Sequence, residues 1–385
     1  MMRPTWAEID LGAFDRNVDA VAARLPQGTR LMAMLKADAY GHGAVELAGR
    51  CKPEQVAMIG VVLLEEALEL RHAGIALPIL VLGPLNEEQV RVALENDVTL
   101  GVPGPEELEI VAKAARDRDV TIHLKIDSGM GRMGVVETEL PLVMDLLRSA
   151  PRLRIDALFT HFANASNPRD PFTHEQLARF ETLVETLREA GVSAPMHHAA
   201  NSAAMMRGIT PGDFVRVGLA LYGAHPLEGS GLSGASASAA GFLAPEAGPA
   251  PRERMRLEPV MRWRTEIARL KELPPGYAIG YGTTFHTRRA SRIATLPVGY
   301  ADGYNRRLSN RGEVLVRGQR APVVGRVSMD LVTIDVTDVD GAGLGDEVVL
   351  LGDALRVEEL AAKLDTIPYE VFCNVSKRVP RLYRA

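Results

Sequence analysis

The chain has 385 residues, of which 46% are apolar and 24% are charged, and this is an ordinary globular composition. Its length predicts two or three structural units, or one large barrel with a smaller domain. A net charge of −5 excludes a whole-chain cationic field, so we expect no nucleic acid and no membrane among its partners.

The cysteine count and the N-terminal residues indicate the compartment. Cys51 and Cys373 are too few for a disulfide framework or a tetrahedral metal site. The first residues lack the apolar core of a signal peptide, and no stretch reaches the run of about 18 apolar residues that crosses a bilayer. We therefore expect a cytoplasmic protein.

From residue 30 to residue 220, short apolar runs alternate with segments of helical periodicity. The apolar runs predict eight strands, at Leu31–Leu35, Met58–Val62, Ile79–Leu82, Val98–Val102, Ile122–Ile126, Ile155–Phe159, Ala194–Ala199 and Phe214–Val217. The periodic segments predict helices at Leu64–Ala73, Glu87–Asn96, Pro105–Asp119, Glu139–Ser149 and Phe172–Ala190. Strands that alternate with helices indicate an α/β fold with a parallel sheet, and eight units favour a closed (β/α)8 TIM-type barrel over an open doubly wound sheet.

The repeating pattern ends near residue 225. We predict three parts: a barrel domain over residues 1–225, a Gly/Ala/Ser/Pro-rich loop or linker over 226–255, and a mostly β domain over 256–385. The last part contains short β-type runs at Ile293–Pro297, Val314–Val316, Val323–Val324, Val332–Val336 and Val348–Leu351, with one helical stretch at Val357–Lys363.

The predicted strand ends carry polar residues, and in a barrel of this kind the chemistry lies where the strands end. In chain order they are Lys36, Lys125, Asp127, His161, Asn201, Ser202, Arg216 and Gly218. Ser202 and the amides of Gly218 and Leu219 suit the phosphate pocket that such barrels form after their last two strands. A phosphorylated ligand opposite Lys36 suggests a Schiff-base cofactor such as pyridoxal 5'-phosphate.

Each of these residues also has an ordinary structural interpretation. Lys36 alone fits a lysine at a strand edge with an exposed amine, and His161 alone fits a satisfied core histidine. Lys125 and Arg132 fit a solvated strand end next to a glycine turn. The histidines have no metal-ligand spacing, so we expect no metal, and no dinucleotide, P-loop or GxSxG pattern occurs.

Eight segments together carry a resemblance to a known family. LKADAYGHG, KIDSGMGRMG, FTHFANA, HAANSAA, RVGLALYG, YGTTF, PVGYADGY and VSMD resemble, in this order, the landmarks of the alanine racemase family. They span residues 36 to 330, and AEIDL and RVPR extend the resemblance over nearly the whole chain. The resemblance implies a (β/α)8 barrel followed by a β domain, a pyridoxal-phosphate cofactor, and interconversion of L-alanine and D-alanine for cell-wall peptidoglycan.

The resemblance also implies roles for individual residues. Lys36 is expected to hold the cofactor as an aldimine and to act as one catalytic base, with Tyr281 as the second base on the other face of the substrate. The remaining expected cofactor contacts are Tyr40, His161, Ser202, Arg216, Gly218, Leu219 and Tyr369. Arg132 and Met329 are expected to place the substrate carboxylate, and Lys125 is a candidate for carbamylation.

Further implications concern assembly and access. In the family, Tyr281 and Met329 reach the site from the partner subunit, which implies a homodimer with a shared active site. The expected access-corridor residues are Tyr300, Arg306, Arg326 and Ile367. The sequence departs from the common pattern at Gly280, Ser328 and Ser166, and in its longer Glu228–Pro251 insertion.

Three other classes of function stay open at this point. A non-catalytic pyridoxal-phosphate carrier resembles the barrel alone, and the second domain and Tyr281 argue against it. The second alternative is another barrel-type pyridoxal enzyme. Basic amino-acid decarboxylases lack the YGTTF and VSMD context of this chain, and broad-specificity racemases usually carry an export signal, which is missing from this sequence. A sugar-phosphate barrel with Lys36 as an aldolase-type amine predicts a protein without a visible chromophore.

Overall fold

A computed structural model describes residues 3–226 and 255–385 of the chain. The described residues form two compact units, one of residues 17–221 and 226, the other of residues 3–16, 222–225 and 255–385. The chain begins with strand β1 (Thr5–Asp10) and helix α1 (Leu11–Ala22).

The first unit contains an eight-stranded parallel sheet in the order β8-β7-β6-β5-β4-β3-β2-β9. Its strands are β2 (Arg30–Met34), β3 (Val56–Val61), β4 (Ile79–Val81), β5 (Thr99–Val102), β6 (Val120–Lys125), β7 (Leu153–Phe159), β8 (Met196–His198) and β9 (Phe214–Val217). The two ends of the sheet meet where Asn201 forms a bridge to Arg216 and the Arg216 amide donates to Ala200 O. The predicted (β/α)8 barrel and all eight predicted strands are therefore confirmed.

Helices connect these strands. They are α2 (Lys36–Gly41), α3 (Ala44–Ala48), α4 (Leu64–His72), α5 (Glu87–Glu95), α6 (Pro105–Ala114), α7 (Leu140–Ser149), α8 (Phe172–Glu189) and α9 (Ser202–Met206). The predicted helices are confirmed, but α6 ends at Ala114 and not at Asp119. The sequence after Ala115 is Arg-Asp-Arg-Asp, so the apolar stripe that packs α6 on the barrel ends there.

The barrel strands place their side chains alternately inward and outward. One interior cluster consists of Met32, Met34, Met58, Leu80 and Phe214. Because all eight strands are parallel, their carboxyl ends lie at one rim of the barrel, and the loops that follow them gather there.

The second unit is built mostly of strands. Its strands are β10 (Met261–Glu266), β11 (Arg269–Leu273), β12 (Ala278–Ile279), β13 (Phe285–His286), β14 (Ser291–Leu296), β15 (Glu313–Val316), β16 (Gln319–Pro322), β17 (Val332–Asp335), β18 (Glu347–Leu351) and β19 (Arg381–Arg384). Two helices, α10 (Val357–Leu364) and α11 (Pro368–Cys373), complete the unit. The sheets have the orders β16-β15-β18-β10-β1-β19, β11-β14-β17 and β12-β13. The mostly β character is confirmed, although Val323 forms only a single bridge, to Ile334, and is not in a strand.

The position of β1 corrects the predicted domain boundary at residue 1. Strand β1 pairs antiparallel with β10 and parallel with β19, so it belongs to the second unit. The barrel already has eight strands without β1. In the second unit, β10 and β19 offer backbone hydrogen bonds on the two sides of β1. The predicted linker over 226–255 lies almost wholly outside the described residues, because only residues 226 and 255 of it are described.

None of the helices within residues 3–226 and 255–385 combines the length and the apolar character that a membrane span requires.

Candidate active site

Lys36 stands at the start of a left-handed helical turn. The strand β2 ends at Met34, and the four residues Ala37–Tyr40 then have φ between 52° and 54°. None of them is glycine, and each L-residue in this region costs about 1–2 kcal/mol. A run of such residues persists only where its surroundings fix it, and such strain gathers at functional sites.

Two carboxylates hold this turn in place. Glu66 Oε1 accepts a hydrogen bond from the Ala37 amide at 2.6 Å, and its other oxygen accepts from the amides of Val62 and Leu63. Asp38 Oδ1 accepts from the Ala44 amide at 2.7 Å, where the chain leaves the turn. The backbone that carries Lys36 is therefore tied to α4 on one side and to α3 on the other.

The end of β6 and the loop after it carry Lys125 and Arg132. Asp127 Oδ1 accepts from three successive amides, of residues 129, 130 and 131, at 2.8–3.2 Å, and this fixes the loop that presents Arg132. Lys125 is 6% exposed. Burial, and then the positive charges of Arg132 and Arg216, lower the pKa of Lys125 to about 8.

Arg216 is the centre of the hydrogen-bond network inside the rim. Its Nη2 donates to Thr160 O at 2.7 Å, to Ala199 O at 3.0 Å and to His161 Nδ1 at 3.1 Å. Its Nη1 donates to His198 Nδ1 at 2.8 Å and to His198 O at 3.0 Å. Burial lowers the pKa of Arg216 to about 10, so the guanidinium stays charged at neutral pH while all these acceptors are neutral.

Ser202, Gly218 and Tyr40 form a small polar cradle. The Gly218 amide donates to Ser202 Oγ at 3.0 Å, and a Cβ at Gly218 would lie 2.4 Å from Tyr40 Oη. Asn201 caps α9 by accepting from the Ala204 amide, which places Ser202 at the first position of that helix. The cradle therefore combines hydroxyl and amide donors in a space that requires glycine at residue 218. Leu219 follows it and is buried.

The electrostatics of the rim favour an anion. Burial and then the charges of Arg216, Arg132, Lys125 and Lys36 lower the pKa of His161 well below its usual range. His161 is consequently neutral, and the positive potential of all four cations reaches the rim around it. This donor set and the cradle fit a phosphorylated aldehyde such as pyridoxal phosphate, whose phosphate would lie in the cradle while Lys36 would hold its aldehyde carbon.

In the second unit, Tyr281 lies between two glycines with positive φ. Gly280 has φ 73° and Gly282 has φ 68°, and a Cβ at Gly282 would come within 2.9 Å of Arg326 Nη1. Gly280, a departure from the common family pattern, therefore serves the backbone that presents Tyr281. The Tyr281 side chain is 72% exposed.

The loop that carries Met329 is held by a buried carboxylate. The Tyr300 and Ala301 amides donate to Ser328 O and Met329 O, each at 3.0 Å, and Asp302 Oδ2 accepts from the Gly299 amide at 3.0 Å. The Asp302 side chain is inaccessible to solvent. It forms ion pairs with Arg3 at 2.7 Å and with Arg378 at 3.6 Å.

The remaining predicted residues of this unit are distributed over its surface loops and α11. Burial raises the pKa of Tyr369 in α11 to about 12. Tyr300 and Arg306 line a cavity of about 370 Å³, and Ile367 is 58% exposed. The structure therefore gathers the barrel residues at one rim, whereas the roles of Tyr281, Met329 and Tyr369 toward that rim stay predictions.

Sequence reasoning missed three residues of this region. They are Glu66, which braces the lysine turn, and the histidines His123 and His198, which lie inside the barrel. One signal was available for the histidines: His123 and Lys125 are two residues apart on one strand and therefore share a face. Glu66 has no such signal, because its role depends on the turn that it contacts.

The fold and the donor set of the rim fit a barrel-type enzyme that uses a phosphorylated carbonyl cofactor. Family models named for the N-terminal and the C-terminal domain of alanine racemase match residues 9–226 and 260–383. An alanine racemase of Desulfovibrio desulfuricans is 39% identical over 386 residues, covering 99% of this chain and 98% of the relative. The chain belongs to the alanine racemase family. This confirms the predicted enzyme class, an amino-acid racemase (an isomerase) that depends on pyridoxal phosphate.

Solved structures agree with this assignment. The alanine racemase of Bacillus anthracis with bound L-Ala-P has a TM-score of 0.86 and 36% identity, covering 100% of this chain and 95% of that one. The alanine racemase of Bartonella henselae, described with covalently bound pyridoxal phosphate, has a TM-score of 0.85 and 26% identity, with 99% of both chains covered.

Proposed function

We propose that this chain interconverts L-alanine and D-alanine with pyridoxal phosphate as its cofactor and Lys36 and Tyr281 as its two bases. The observation that carries the proposal is the meeting, at one rim, of Lys36 on its braced left-handed turn, the Ser202–Gly218 cradle and the buried Arg216. Family membership supports the reaction, and the chemistry of the rim supports the cofactor.

The barrel residues would hold the cofactor as follows. Ser202 Oγ, which accepts a hydrogen bond from the Gly218 amide, would donate its own proton to the phosphate together with Tyr40 Oη and the Leu219 amide. Gly218 would leave room for the phosphate beside these donors, and Tyr369 is a further proposed contact of the cofactor. When bound, pyridoxal phosphate supplies an electron-withdrawing aldehyde and ring that acidify the Cα–H of an amino acid. The left-handed turn fixes the backbone of Lys36, so its Nζ has few positions to search.

Racemisation requires a proton to leave one face of Cα and another to arrive at the opposite face. Lys36 Nζ would exchange the proton on one face and Tyr281 Oη on the other. A phenol ordinarily ionises near pH 10, so a tyrosine base needs a hydrogen-bond donor that stabilises its anion. His161 suits this task, because Arg216 donates to its Nδ1 and its own proton must therefore lie on Nε2.

Arg216 supports racemisation over transamination. A guanidinium can only donate hydrogen bonds, so facing the ring nitrogen of the cofactor it would favour the unprotonated nitrogen. Arg216 would thereby favour the return of a proton to Cα by Lys36 or Tyr281 over protonation of the cofactor. The five hydrogen bonds that Arg216 makes to neutral acceptors support a fixed direction for its guanidinium.

Arg132 and the Met329 amide would place the substrate carboxylate. Asp127 fixes the loop of Arg132, and the Asp302 ion pairs fix the loop of Met329. Lys125 would act indirectly: its lowered pKa leaves much of the amine neutral at pH 8, which suits reaction with CO2. The resulting carbamate would carry a negative charge beside Arg132 and would orient it.

We infer a homodimer in which Tyr281 and Met329 serve the partner's barrel. Both side chains are exposed in the single chain, Tyr281 to 72% and Met329 to 53%, as are Tyr300, Leu331 and Ile367 of the same unit. Large exposed apolar side chains of this kind mark interaction surfaces when they lie together. Light scattering of the purified protein tests the stoichiometry.

The proposed cellular role is the supply of D-alanine for peptidoglycan in the cytoplasm, and a D-alanine requirement after gene deletion tests it.

The decisive experiment combines a spectrum with a chiral assay. The protein loaded with pyridoxal phosphate is expected to show a visible band that borohydride abolishes, with the reduced cofactor mapped to Lys36. Chiral chromatography is then expected to find D-alanine formed from L-alanine, and the reverse. A band without racemisation would indicate a carrier or a decarboxylase, and the absence of a band would favour the sugar-phosphate alternative.

The second base is tested by Tyr281→Phe, with Tyr277→Phe as the matched control. Tyr277 is also exposed and lies in the same unit, but it has no proposed role. Tyr281→Phe is expected to lower the rate by about 100-fold or more in both directions, since general acid–base groups contribute at least that factor. A Tyr281→Phe protein with wild-type rates would refute the assignment.

A further inference from the structure

Three aromatic rings extend the Arg216 network into the barrel interior. His198 Nε2 lies 3.0 Å from His123 Nδ1, and both imidazoles are inaccessible to solvent. The His198 ring stacks on Phe159 with a centroid distance of 4.8 Å and an interplanar angle of 5°. The chain of contacts therefore runs from His123 through His198 to Arg216, and from there to His161.

Two contacts, one to Arg216 and one to His123, together favour a single tautomer of His198. A guanidinium has no acceptor, so His198 Nδ1 must accept from Nη1 and the proton of a neutral His198 must lie on Nε2. That Nε2–H then donates to His123 Nδ1, which leaves the His123 proton on its own Nε2. Burial and the charge of Arg216 lower the pKa of His198 well below its usual range and that of His123 to about 4, which keeps both rings neutral.

We propose that His123 is a positioning residue that, by accepting from His198 Nε2–H, locks the His198 tautomer and so holds Arg216 in the direction required at the cofactor. In the present structure, the Nδ1–H tautomer of His198 would lose the hydrogen bond from Nε2–H to His123. Without an acceptor at residue 123 that hydrogen bond does not exist, so this penalty on the Nδ1–H tautomer disappears. That tautomer would point an N–H at the Arg216 N–H, and the arginine would lose an acceptor. The effect on the reaction rests on the proposed racemase function, whereas the tautomer lock does not.

Packing alone does not explain a histidine at this position. Among the described residues, His123 Nε2 is buried and has no hydrogen-bond partner. An unpaired buried donor costs about 1–3 kcal/mol, which an apolar side chain of similar size would not incur. A residue that violates the local preference in this way indicates a requirement other than stability.

The first test reads the tautomers directly and needs no activity. In the ¹⁵N-labelled wild-type protein, with and without cofactor, long-range ¹H–¹⁵N correlation is expected to show His123 and His198 as neutral Nε2–H tautomers that do not titrate from pH 5.5 to 8.5. A proton on Nδ1 of either ring, or titration of either ring in this range, would overturn the proposal. If the protein proved inactive with alanine, the proposed function would fail while the tautomer result would stand.

The second test compares two substitutions of His123. Asn can place an acceptor near the position of the imidazole Nδ1, whereas Leu has a similar size and no acceptor. His123→Leu is expected to give a mixture of His198 tautomers, a kcat about tenfold lower with little change in KM, and a larger share of transamination. His123→Asn is expected to restore all three readouts toward the wild type.

His197→Leu is the matched control. His197 is the neighbouring residue on β8 but points to the other face, where its ring lies edge-on to Phe180. The His197→Leu substitution should leave the His198 tautomer and the ratio of racemisation to transamination unchanged. If His123→Leu kept the Nε2–H tautomer and the wild-type ratio, or if His197→Leu changed them equally, the proposal would be wrong. If His123→Leu did not fold, the wild-type spectrum and His123→Asn would decide.

Discussion

The cradle at Gly218 makes a sharp prediction for one added methyl group. In Gly218→Ala, the new Cβ would lie 2.4 Å from Tyr40 Oη, 3.0 Å from its Cζ and 3.1 Å from its Cε2. Unstrained contacts between such atoms are about 3.5–4.0 Å long, so the tyrosine hydroxyl must retreat by about 1 Å. Tyr40 is 5% exposed and lies in the left-handed turn, so the surroundings resist this movement.

The size of the effect follows from the cost of overpacking. Extra atoms in a well-packed site cost about 1–3 kcal/mol. If the strain is relieved by displacing Tyr40 and narrowing the phosphate cradle, this cost appears in cofactor binding. The dissociation constant of pyridoxal phosphate is then expected to rise by about five- to 150-fold.

The assay titrates the cofactor-free protein with pyridoxal phosphate and with pyridoxal, and follows the visible band. Gly218→Ala should weaken pyridoxal phosphate far more than pyridoxal, because pyridoxal has no phosphate to place in the cradle. Gly49→Ala is the control, since its Cβ would meet only ordinary contacts of 3.4 Å or more at a helix end with φ −62°. Wild-type affinity for pyridoxal phosphate in Gly218→Ala would show that the cradle is not the phosphate site.

Three further predictions concern carboxylates and Lys125. Glu66→Ala leaves three amides without their acceptor and should lower the rate at which pyridoxal phosphate attaches to the protein about tenfold. Glu65→Ala, which changes the exposed neighbour, should keep the wild-type rate. Equal rates for the two variants in stopped-flow mixing would show that Glu66 does not hold the lysine turn. With labelled bicarbonate, Lys125 should give a ¹³C carbamate signal that grows from pH 7 to pH 9, because its amine, with a pKa of about 8, loses its proton over this range. The same signal in a Lys125→Arg protein would show that Lys125 is not the carbamylated residue. Asp302→Asn removes the buried charge that pairs with Arg3, whereas Arg378 keeps Asp330 at 2.7 Å. It should lower the free energy of unfolding by about 1–3 kcal/mol, the range for a lost hydrogen bond to a charged group, and an unchanged midpoint in urea would refute this.

Most of the barrel could be predicted from the sequence. Each parallel strand is buried on both faces, so it appears as a short continuous apolar run, and polar helical segments separate the runs. Strand β1 could not be placed in the same way. It alternates between buried and half-buried residues, and its partners β10 and β19 lie more than 250 residues further along the chain.

The site could be predicted only where position in the chain determines function. Lys36 and His161 come just after strands, Lys125 and Arg216 lie in the last residues of strands, and parallel strands bring their ends to one rim. The left-handed turn after Lys36 could not be predicted, because the sequence Ala-Asp-Ala-Tyr contains no glycine to indicate positive φ. That conformation results from tertiary contacts, of which the Glu66 carboxylate is one.

The two least favourable features of the barrel both serve the proposed cofactor site. Four left-handed residues after Lys36 cost several kcal/mol together, and Arg216 is a buried charge for which no ion pair occurs among the described residues. Neither is needed to close the barrel, since the strand ladders do that with ordinary backbone. Their costs are instead offset by specific contacts, the Glu66 and Asp38 carboxylates at the turn and a shell of neutral acceptors around the arginine. A fold that stabilises two such features at one rim keeps an amine and a cation in fixed positions before any ligand arrives, and this preorganisation is what proton transfer at a single carbon atom requires.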